Sequence, residues 1–325
     1  MLAQQTPDEV ADSVRAQLDA VETALLKSAE AATPMVTEVA QHIISAGGKR
    51  FRPQLVVLTS FLGPLSAPDD VVKAAVVVEL THVASLYHDD VMDDAEMRRG
   101  SPSANNRWGN TLAILVGDFL FARASDIVSE LGPDFVSMQA RTFARLVQGQ
   151  IAETVGPQPG QDAVEHYLQV ISDKTGALIA TSAVFGSKIA GASPVVQQTL
   201  AAFGEEIGTV FQLSDDIIDI TSDETGKTPG TDLREGVPTL PTLLARQSTD
   251  PADSRLLELL QSDLSADSSL AEVLQLLRQH PSIDQARAEV QRRAEKARLL
   301  LAPLPVGPAR AALEELCDSV THRTV

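Results

Sequence analysis

The sequence predicts an all-α fold, one large helical bundle, and three observations predict it. Aromatic residues are scarce at 4% while apolar residues as a whole reach 44%, a balance in which Ala, Leu and Val supply the core and packed helices are favoured over sheets. Apolar residues recur at i, i+3, i+4 and i+7 in Asp8–Ala31, Val36–Ala46, Asp70–Met92, Thr111–Leu131 and Pro194–Thr221, the stripe of a helix with one buried face. Short Pro/Gly/Asp loops at Gly63–Asp70, Gly132–Asp134, Gly156–Asp162, Gly191–Pro194 and Ser248–Ser254 separate such segments, and no alternating strand run is evident. A single domain over 1–325 is expected, with residues 1–10 frayed.

The same composition narrows the classes of function. A net charge of −18 argues against general nucleic-acid binding, which needs Lys and Arg to neutralise phosphates, although it leaves room for a local basic pocket. Cys317 is the single cysteine, so an internal disulfide and a cysteine metal site are excluded and a reducing, cytoplasmic setting is expected. The amino terminus has early acidic residues and no long apolar core, unlike a signal peptide. Val71–Leu86 is the longest apolar stretch, but Lys73, Glu79 and His82 interrupt it, so no transmembrane segment is expected.

Thr221–Pro241 differs from the other loops. It mixes Gly, Pro and charge over a length at which a loop in a compact domain is usually functional or disordered. Because it follows an aspartate cluster directly, it reads as a lid.

Two aspartate clusters carry the chemistry. Asp89-Asp90-Val91-Met92-Asp93 continues one of the most apolar segments of the chain, and Asp215-Asp216-Ile217-Ile218-Asp219 repeats the spacing 126 positions later. At i, i+4 on a helix, Asp89 and Asp93 share a face and repel each other, as do Asp215 and Asp219. Carboxylates on apolar helices need cations or hydrogen bonds. Paired hard oxygens suit Mg²⁺, which takes its other ligands from water and substrate phosphate. Either cluster alone could instead be a solvated acidic face, or an N-terminal run favoured by the helix dipole; the specificity lies in the pair.

Basic residues lie beside these segments. Gly47-Gly48-Lys49-Arg50-Phe51-Arg52-Pro53 opens a helix after a glycine turn, placing Lys49, Arg50 and Arg52 near N-terminal amides that attract anions. Arg98-Arg99-Gly100 follows the first aspartates, and Lys174-Thr175 and Lys227 accompany the central helices and the lid. Taken singly, each has an ordinary reading: a solvated lysine for Lys174, a satisfied core histidine for His82, a common helical glutamine for Gln212.

In combination these blocks resemble the trans-isoprenyl diphosphate synthases, or polyprenyl synthetases. The matching segments are GGKRFRP (47–53), ELTHVASLYHDDVMDDAEMRRG (79–100), GDFLFARA (117–124), DKTGAL (173–178), FQLSDDIIDI (211–220) and GKTPGTDLREG (226–236). The resemblance implies a bundle around a central cavity and a homodimer. It implies that Asp89, Asp93, Asp215 and Asp219 hold Mg²⁺ around an allylic diphosphate, with Asp90 and Asp216 in support. Lys49, Arg52, His82 and Arg99 match residues that bind isopentenyl diphosphate. Arg98, Lys174, Thr175, Gln212 and Lys227 match residues that contact the allylic diphosphate. One departure is visible: many members carry lysine after the glycine matching Gly236, where this chain has Val237-Pro238.

The implied reaction is successive head-to-tail condensation to an all-E polyprenyl diphosphate, with diphosphate itself taking the proton and no side-chain base. Helix geometry addresses the product length. Ser85 and Ala84 lie one turn below Asp89, and Leu80 and Thr81 another turn down. Family members that stop at short products carry an aromatic at the first two positions, and here both are small. A long product, roughly C30 to C50, is expected from that spacing, with geranylgeranyl or farnesyl diphosphate as the alternative. Tyr87 projects to another face, and Phe119 and Phe121 are possible floors. Small residues at 84 and 85 could also serve only close helix packing. A class I terpene cyclase and a non-catalytic subunit are the competing readings. The intact second aspartate motif and the 47–52 block speak against the first, and the two intact motifs against the second.

Overall fold

The computed structural model describes residues 6–221 and 229–321. The sequence forms helices where its apolar stripes predict them. α1 (Pro7–Ser28) starts in a capping box between Thr6 and Glu9, which satisfies two of the orphan donors of the first turn, so residues 7–10 are helical rather than frayed; residues 1–5 lie outside the described residues. α2 (Pro34–Ser45), α3 (Phe51–Ser60) and α4 (Pro68–Met92) follow, two of them opened by a proline at the first turn. A two-residue hairpin, β1 (Met97–Arg98) with β2 (Ser101–Pro102), leads into α5 (Ala104–Trp108). Then come α6 (Asn110–Leu131), α7 (Pro133–Val155), α8 (Ala163–Ile171), a π-helical turn at Ser172–Gly176, α9 (Ala177–Ile189) and α10 (Pro194–Thr221). The expected lid contains a short helix, α11 (Thr231–Glu235). The chain closes with α12 (Leu240–Ala245), α13 (Ser254–Leu259), α14 (Asp267–Gln279), α15 (Pro281–Leu300) and α16 (Pro308–Thr321). The all-α prediction holds, with the hairpin as a small addition.

The chain divides into two compact units. The first comprises Met1–Ala144, Leu178–Gly204 and Leu301–Leu313. Its centre is α4, which packs on α1, α3, α5 and α6 and buries Val76, Val77, Leu80, Val83 and Ala84. α4 reaches the length and apolarity of a membrane span, contrary to the reading of Val71–Leu86, yet 67% of its most apolar window is buried in the protein, as befits a core helix surrounded by others. Two seams are closed by glycines. A Cβ on Gly186 of α9 would stand 1.9 Å from the Val56 carbonyl oxygen of α3, and one on Gly117 of α6 would stand 2.4 Å from His88 Nε2 of α4.

The second unit comprises Arg145–Ala177, Glu205–Leu300 and Glu314–Val325. Its core joins Ile220, Leu233, Ala245, Leu256, Leu260, Leu270, Val273, Leu277 and Ile283. α12 packs on α8, α14 and α15 within it.

Candidate active site

Both aspartate clusters stand at helix C-terminal ends. α4 ends at Met92 with Asp93 as its C-cap, whose N–H donates to the Asp89 carbonyl at 2.8 Å. Asp215 and Asp219 lie in the last two turns of α10. The sequence left open an N-terminal run favoured by the dipole; the structure removes it. At a C-terminus the dipole and the unpaired carbonyls disfavour anions, so the cost has to be offset by cations or hydrogen bonds.

In the first unit, Asp90 is fully buried and its Oδ1 takes Nε and Nη2 of Arg98, each at 2.5 Å. Its Oδ2 is buried without a hydrogen-bond partner. Burial raises the Asp90 pKa, and Arg98 opposes that rise. Asp89 is half-buried and Asp93 exposed, so the two candidate ligands keep an approach from solvent. Arg98 is thus tied to a support residue of the cluster. The hairpin turn that carries Arg98 needs a left-handed backbone at Arg99 (φ 53°) and Gly100 (φ 78°).

The basic block of the same unit surrounds one carboxylate, Glu79, 2% exposed on α4. Arg50 Nη1 donates to it at 3.0 Å, and Arg99 Nη2 lies 3.9 Å away. Arg99 Nη1 donates to the carbonyls of Ile43 (3.1 Å) and Gly47. Its guanidinium lies so close to Gly48, φ 151°, that a Cβ there would meet Cζ at 3.0 Å, while Gly47 has open space but a left-handed φ of 88°. Arg52 is half-buried, its Nε without a partner. Burial lowers its pKa to about 10, with Glu79 opposing and Arg99 adding to the shift, so it stays charged at neutral pH. His82 is one turn past Glu79. Burial, then Arg52 and Arg99, hold its pKa well below the ordinary value, so the ring is neutral. No described residue hydrogen-bonds to it, unlike a satisfied core histidine. Lys49 is exposed at the mouth of the turn. Cations, an Arg52 N–H without a partner and a neutral imidazole are a donor set chemically suited to a diphosphate.

Below Asp89 the face of α4 divides. Ala84 is fully buried where α4 meets α6, its carbonyl 3.3 Å from the Cβ position of Gly117. Ser85 is half-buried, its hydroxyl on the His82 carbonyl at 2.8 Å. Leu80 and Thr81 are buried, and Thr81 Oγ1 accepts from Gln139 Nε2 of α7 at 3.4 Å. Tyr87 turns to α2 as expected, its hydroxyl donating to the Val39 carbonyl. Phe121 stacks between His88 (5.6 Å) and Phe143 (4.3 Å).

In the second unit, Thr175 Oγ1 donates to Gln212 Oε1 at 3.2 Å, and Gln212 Nε2 donates to Asp216 Oδ1 at 3.1 Å. The Tyr167 hydroxyl donates to Asp216 Oδ2. Asp216 is 2% exposed. Burial lifts its pKa well above the carboxylate range, the hydrogen bonds from Tyr167 and Gln212 oppose the rise, and neighbouring Asp215 and Asp219 add to it. Lys174 pairs with Glu153, and Asp173 is held by Arg145 Nε at 2.8 Å. The π-helical turn presents Asp173, Lys174 and Thr175 together; such turns interrupt helices where a site needs them. The Asp219 carboxylate accepts from the N–H groups of Thr231 and Asp232, both at 3.3 Å, and thereby caps α11. Lys227 lies outside the described residues.

Tyr167, Glu79, Glu22 and Arg145 were not singled out from the sequence. Tyr167 is one of two tyrosines and sits on an apolar helix, and Glu79 interrupts the most apolar run; either could have been flagged as a buried polar group in need of a partner. Glu22 and Arg145 carry no such signal.

The donor set fits a hard divalent ion: carboxylate oxygens only, in pairs, with an unpaired buried oxygen on Asp90 beside the first. Among the described residues no three His, Cys, Asp or Glu side chains gather into a group that could hold a metal ion.

Comparison with known proteins agrees. The polyprenyl synthetase family model matches residues 33–277. The chain is 44% identical over 315 residues to the nonaprenyl diphosphate synthase of Mycobacterium tuberculosis, covering 96% of this chain and 94% of that one. Its fold superposes on geranylgeranyl pyrophosphate synthase from Corynebacterium glutamicum, a complex with calcium and isoprenyl diphosphate, with a TM-score of 0.87, 42% identity and 99% of each chain covered. It superposes equally on a decaprenyl diphosphate synthase from Rhodobacter capsulatus, with a TM-score of 0.88, 32% identity, and 98% and 99% covered. The chain belongs to the polyprenyl synthetase family, transferases that build polyprenyl diphosphates.

Proposed function

We propose that this enzyme condenses an allylic diphosphate with isopentenyl diphosphate in successive steps, to an all-E product of roughly C30 to C50 on the helix-geometry argument. The observation that carries the site reading is the pair of aspartate clusters at two helix C-termini, where the helix dipole disfavours their charge. Asp89 and Asp93, and Asp215 and Asp219, would hold Mg²⁺, as the family resemblance implies. When bound, Mg²⁺ neutralises the charge that develops on the departing diphosphate.

The protein's own groups do the rest. Lys49, Arg52, Arg99 and the neutral His82 hold isopentenyl diphosphate. Arg98, Lys174, Thr175, Gln212 and Lys227 orient the allylic diphosphate, and Tyr167 and Gln212 keep Asp216 in place beneath its neighbours. The allylic C–O bond breaks with its electron pair leaving on diphosphate. The double bond of isopentenyl diphosphate forms the new C–C bond, and the proton lost from the adduct passes to diphosphate. Cationic side chains preset for the charge of the leaving group supply the electrostatic part of catalysis, and the apolar core keeps water from the cation.

Support for the long product comes from small Ser85 beside Asp89 and from the long-chain relatives; the likeness to geranylgeranyl synthases supports C20 as the second reading. A cytoplasmic homodimer follows the family pattern. α6 leaves Ile114 and Leu115 exposed, and α7 leaves Val147, Ile151 and Val155 exposed along one stripe, apolar surfaces suited to a second copy. Incubating the purified protein with labelled isopentenyl diphosphate, each allylic primer and Mg²⁺ tests the activity and sizes the product. Failure to incorporate label with any primer would remove the reading.

A further inference from the structure

We infer that Arg50 is a positioning residue of the isopentenyl diphosphate site: it takes up the charge of Glu79 and so keeps Arg52 and Arg99 available to substrate. The inference rests on the site reading above and concerns a residue that reading leaves without a role.

Arg50 is the middle cation of the Lys49-Arg50-Phe51-Arg52 block, and charge and spacing alone do not tell the three apart. The structure can. A guanidinium has five N–H donors, and each one of Arg50 meets a protein acceptor. Nε donates to Glu22, Nη2 to Glu22 at 3.0 Å and to the Ile44 carbonyl at 2.8 Å, and Nη1 to Glu79 at 3.0 Å and to the Gly47 carbonyl at 3.4 Å. Nothing is left for a phosphate. Arg52, two residues on, has its Nε buried with no partner. One arginine has its donors taken by the fold; the other keeps a donor without a protein partner.

The backbone bears this out. Arg50 is the N-cap of α3 with φ 47°, a left-handed conformation that a bulky residue adopts only where the surroundings enforce it. That backbone turns its side chain inward, between α1 and α4, toward Glu22 and Glu79.

The reason lies in Glu79. It is a buried carboxylate in reach of more than one cation, and a buried charge takes the nearest partner. Arg99 Nη2 already stands 3.9 Å from it. With Arg50 gone, Glu79 captures Arg99, drawing it off Gly48 and neutralising a cation that substrate needs. Arg50 therefore protects the affinity of the site without touching the ligand.

Steady-state kinetics on the full chain with Mg²⁺ tests this. Arg50→Gln should raise KM for isopentenyl diphosphate by about tenfold or more while KM for the allylic substrate stays within about twofold. Adding Glu79→Gln removes the stray carboxylate and should bring KM back to within about threefold of the wild type. A merely structural arginine would give no such recovery, and its absence overturns the inference. Arg52→Gln tests the site reading separately. If it raises KM and Arg50→Gln does not, the inference alone falls; if it leaves KM unchanged, the site reading falls and takes the inference with it. Should Arg50→Gln not fold, the double variant and Arg50→Lys, which keeps the charge beside Glu79, carry the comparison: a KM within about threefold of the wild type in both supports the inference, and a KM raised about tenfold in either overturns it.

Discussion

Asp216 is enclosed by the fold, sits between two other carboxylates, and still receives two hydrogen bonds. Removing one of them is expected to leave a buried acceptor unpaired, at about 1–3 kcal/mol. Tyr167→Phe should therefore lower the melting temperature by a few degrees and, if Asp216 supports Asp215 and Asp219 as proposed, raise the Mg²⁺ concentration needed for half-maximal activity. Thermal melts and a Mg²⁺ titration read both; an unchanged titration would leave Tyr167 a core residue only. His82 gives a pH dependence of definite sign. Its folded pKa is depressed by burial and by the arginines around it, whereas the unfolded chain titrates near 6.5. As pH falls through that value, the unfolded state takes up the proton first, so the stability present above it is lost below it. His82→Gln should thus lose less melting temperature than the wild type between pH 7.5 and 5.5. At this scale the sequence was informative wherever a spacing or a motif singled out a residue: the aspartates, Arg52, His82, Gln212. It was silent about partners contributed from distant segments, because Glu22 and Arg50 meet only through the packing of α1 on α3.

Helices were legible because their apolar stripes are long, and α1, α2, α4, α6 and α10 lie within a few residues of the expected segments. The β1–β2 hairpin was not, since two-residue strands carry no periodicity. Nor was α11, a single turn in a Gly- and Pro-rich stretch that is held by the Asp219 carboxylate rather than by a propensity of its own. The close seams were equally hidden, for a glycine at a helix crossing looks like any other glycine. Gly186 and Gly117 separate two kinds of seam. At Gly186 a methyl group would strike backbone, the Val56 carbonyl, and α3 would have to move away from α9. At Gly117 it would strike the far end of the His88 ring, which can swing aside by giving up the Ile114 carbonyl at 3.1 Å. Gly186→Ala is expected to cost about 1–3 kcal/mol or more by overpacking, and because α3 begins beside Arg52 it should also raise KM for isopentenyl diphosphate. Gly117→Ala should cost less. Melting curves of the two variants decide the order.

For the molecule as a whole the open quantity is the length of the product, and the division of the α4 face makes it testable. The sequence treated Ala84 and Ser85 as equivalent, both one turn below Asp89. Their surroundings differ: Ala84 is sealed at the α4–α6 seam, while Ser85 is half-buried on the side of His82. On that division, a tail descending from a diphosphate at Asp89 is expected to pass Ser85 and to be walled off from Ala84. An aromatic at 84 has no space and should act as an overpacked core residue, costing about 1–3 kcal/mol or more and lowering soluble yield. An aromatic at 85 fits and should block the path. Ser85→Phe is therefore expected to fold nearly as the wild type does and to shift the product from roughly C30–C50 toward about C15–C20, one turn of helix below the diphosphate. Chain-length analysis of the extracted, dephosphorylated products of both variants reads the result. A Ser85→Phe enzyme that still makes the wild-type product would show that the tail runs elsewhere, and a well-folded Ala84→Phe enzyme with shortened product would show that the seam at Gly117 opens to admit it.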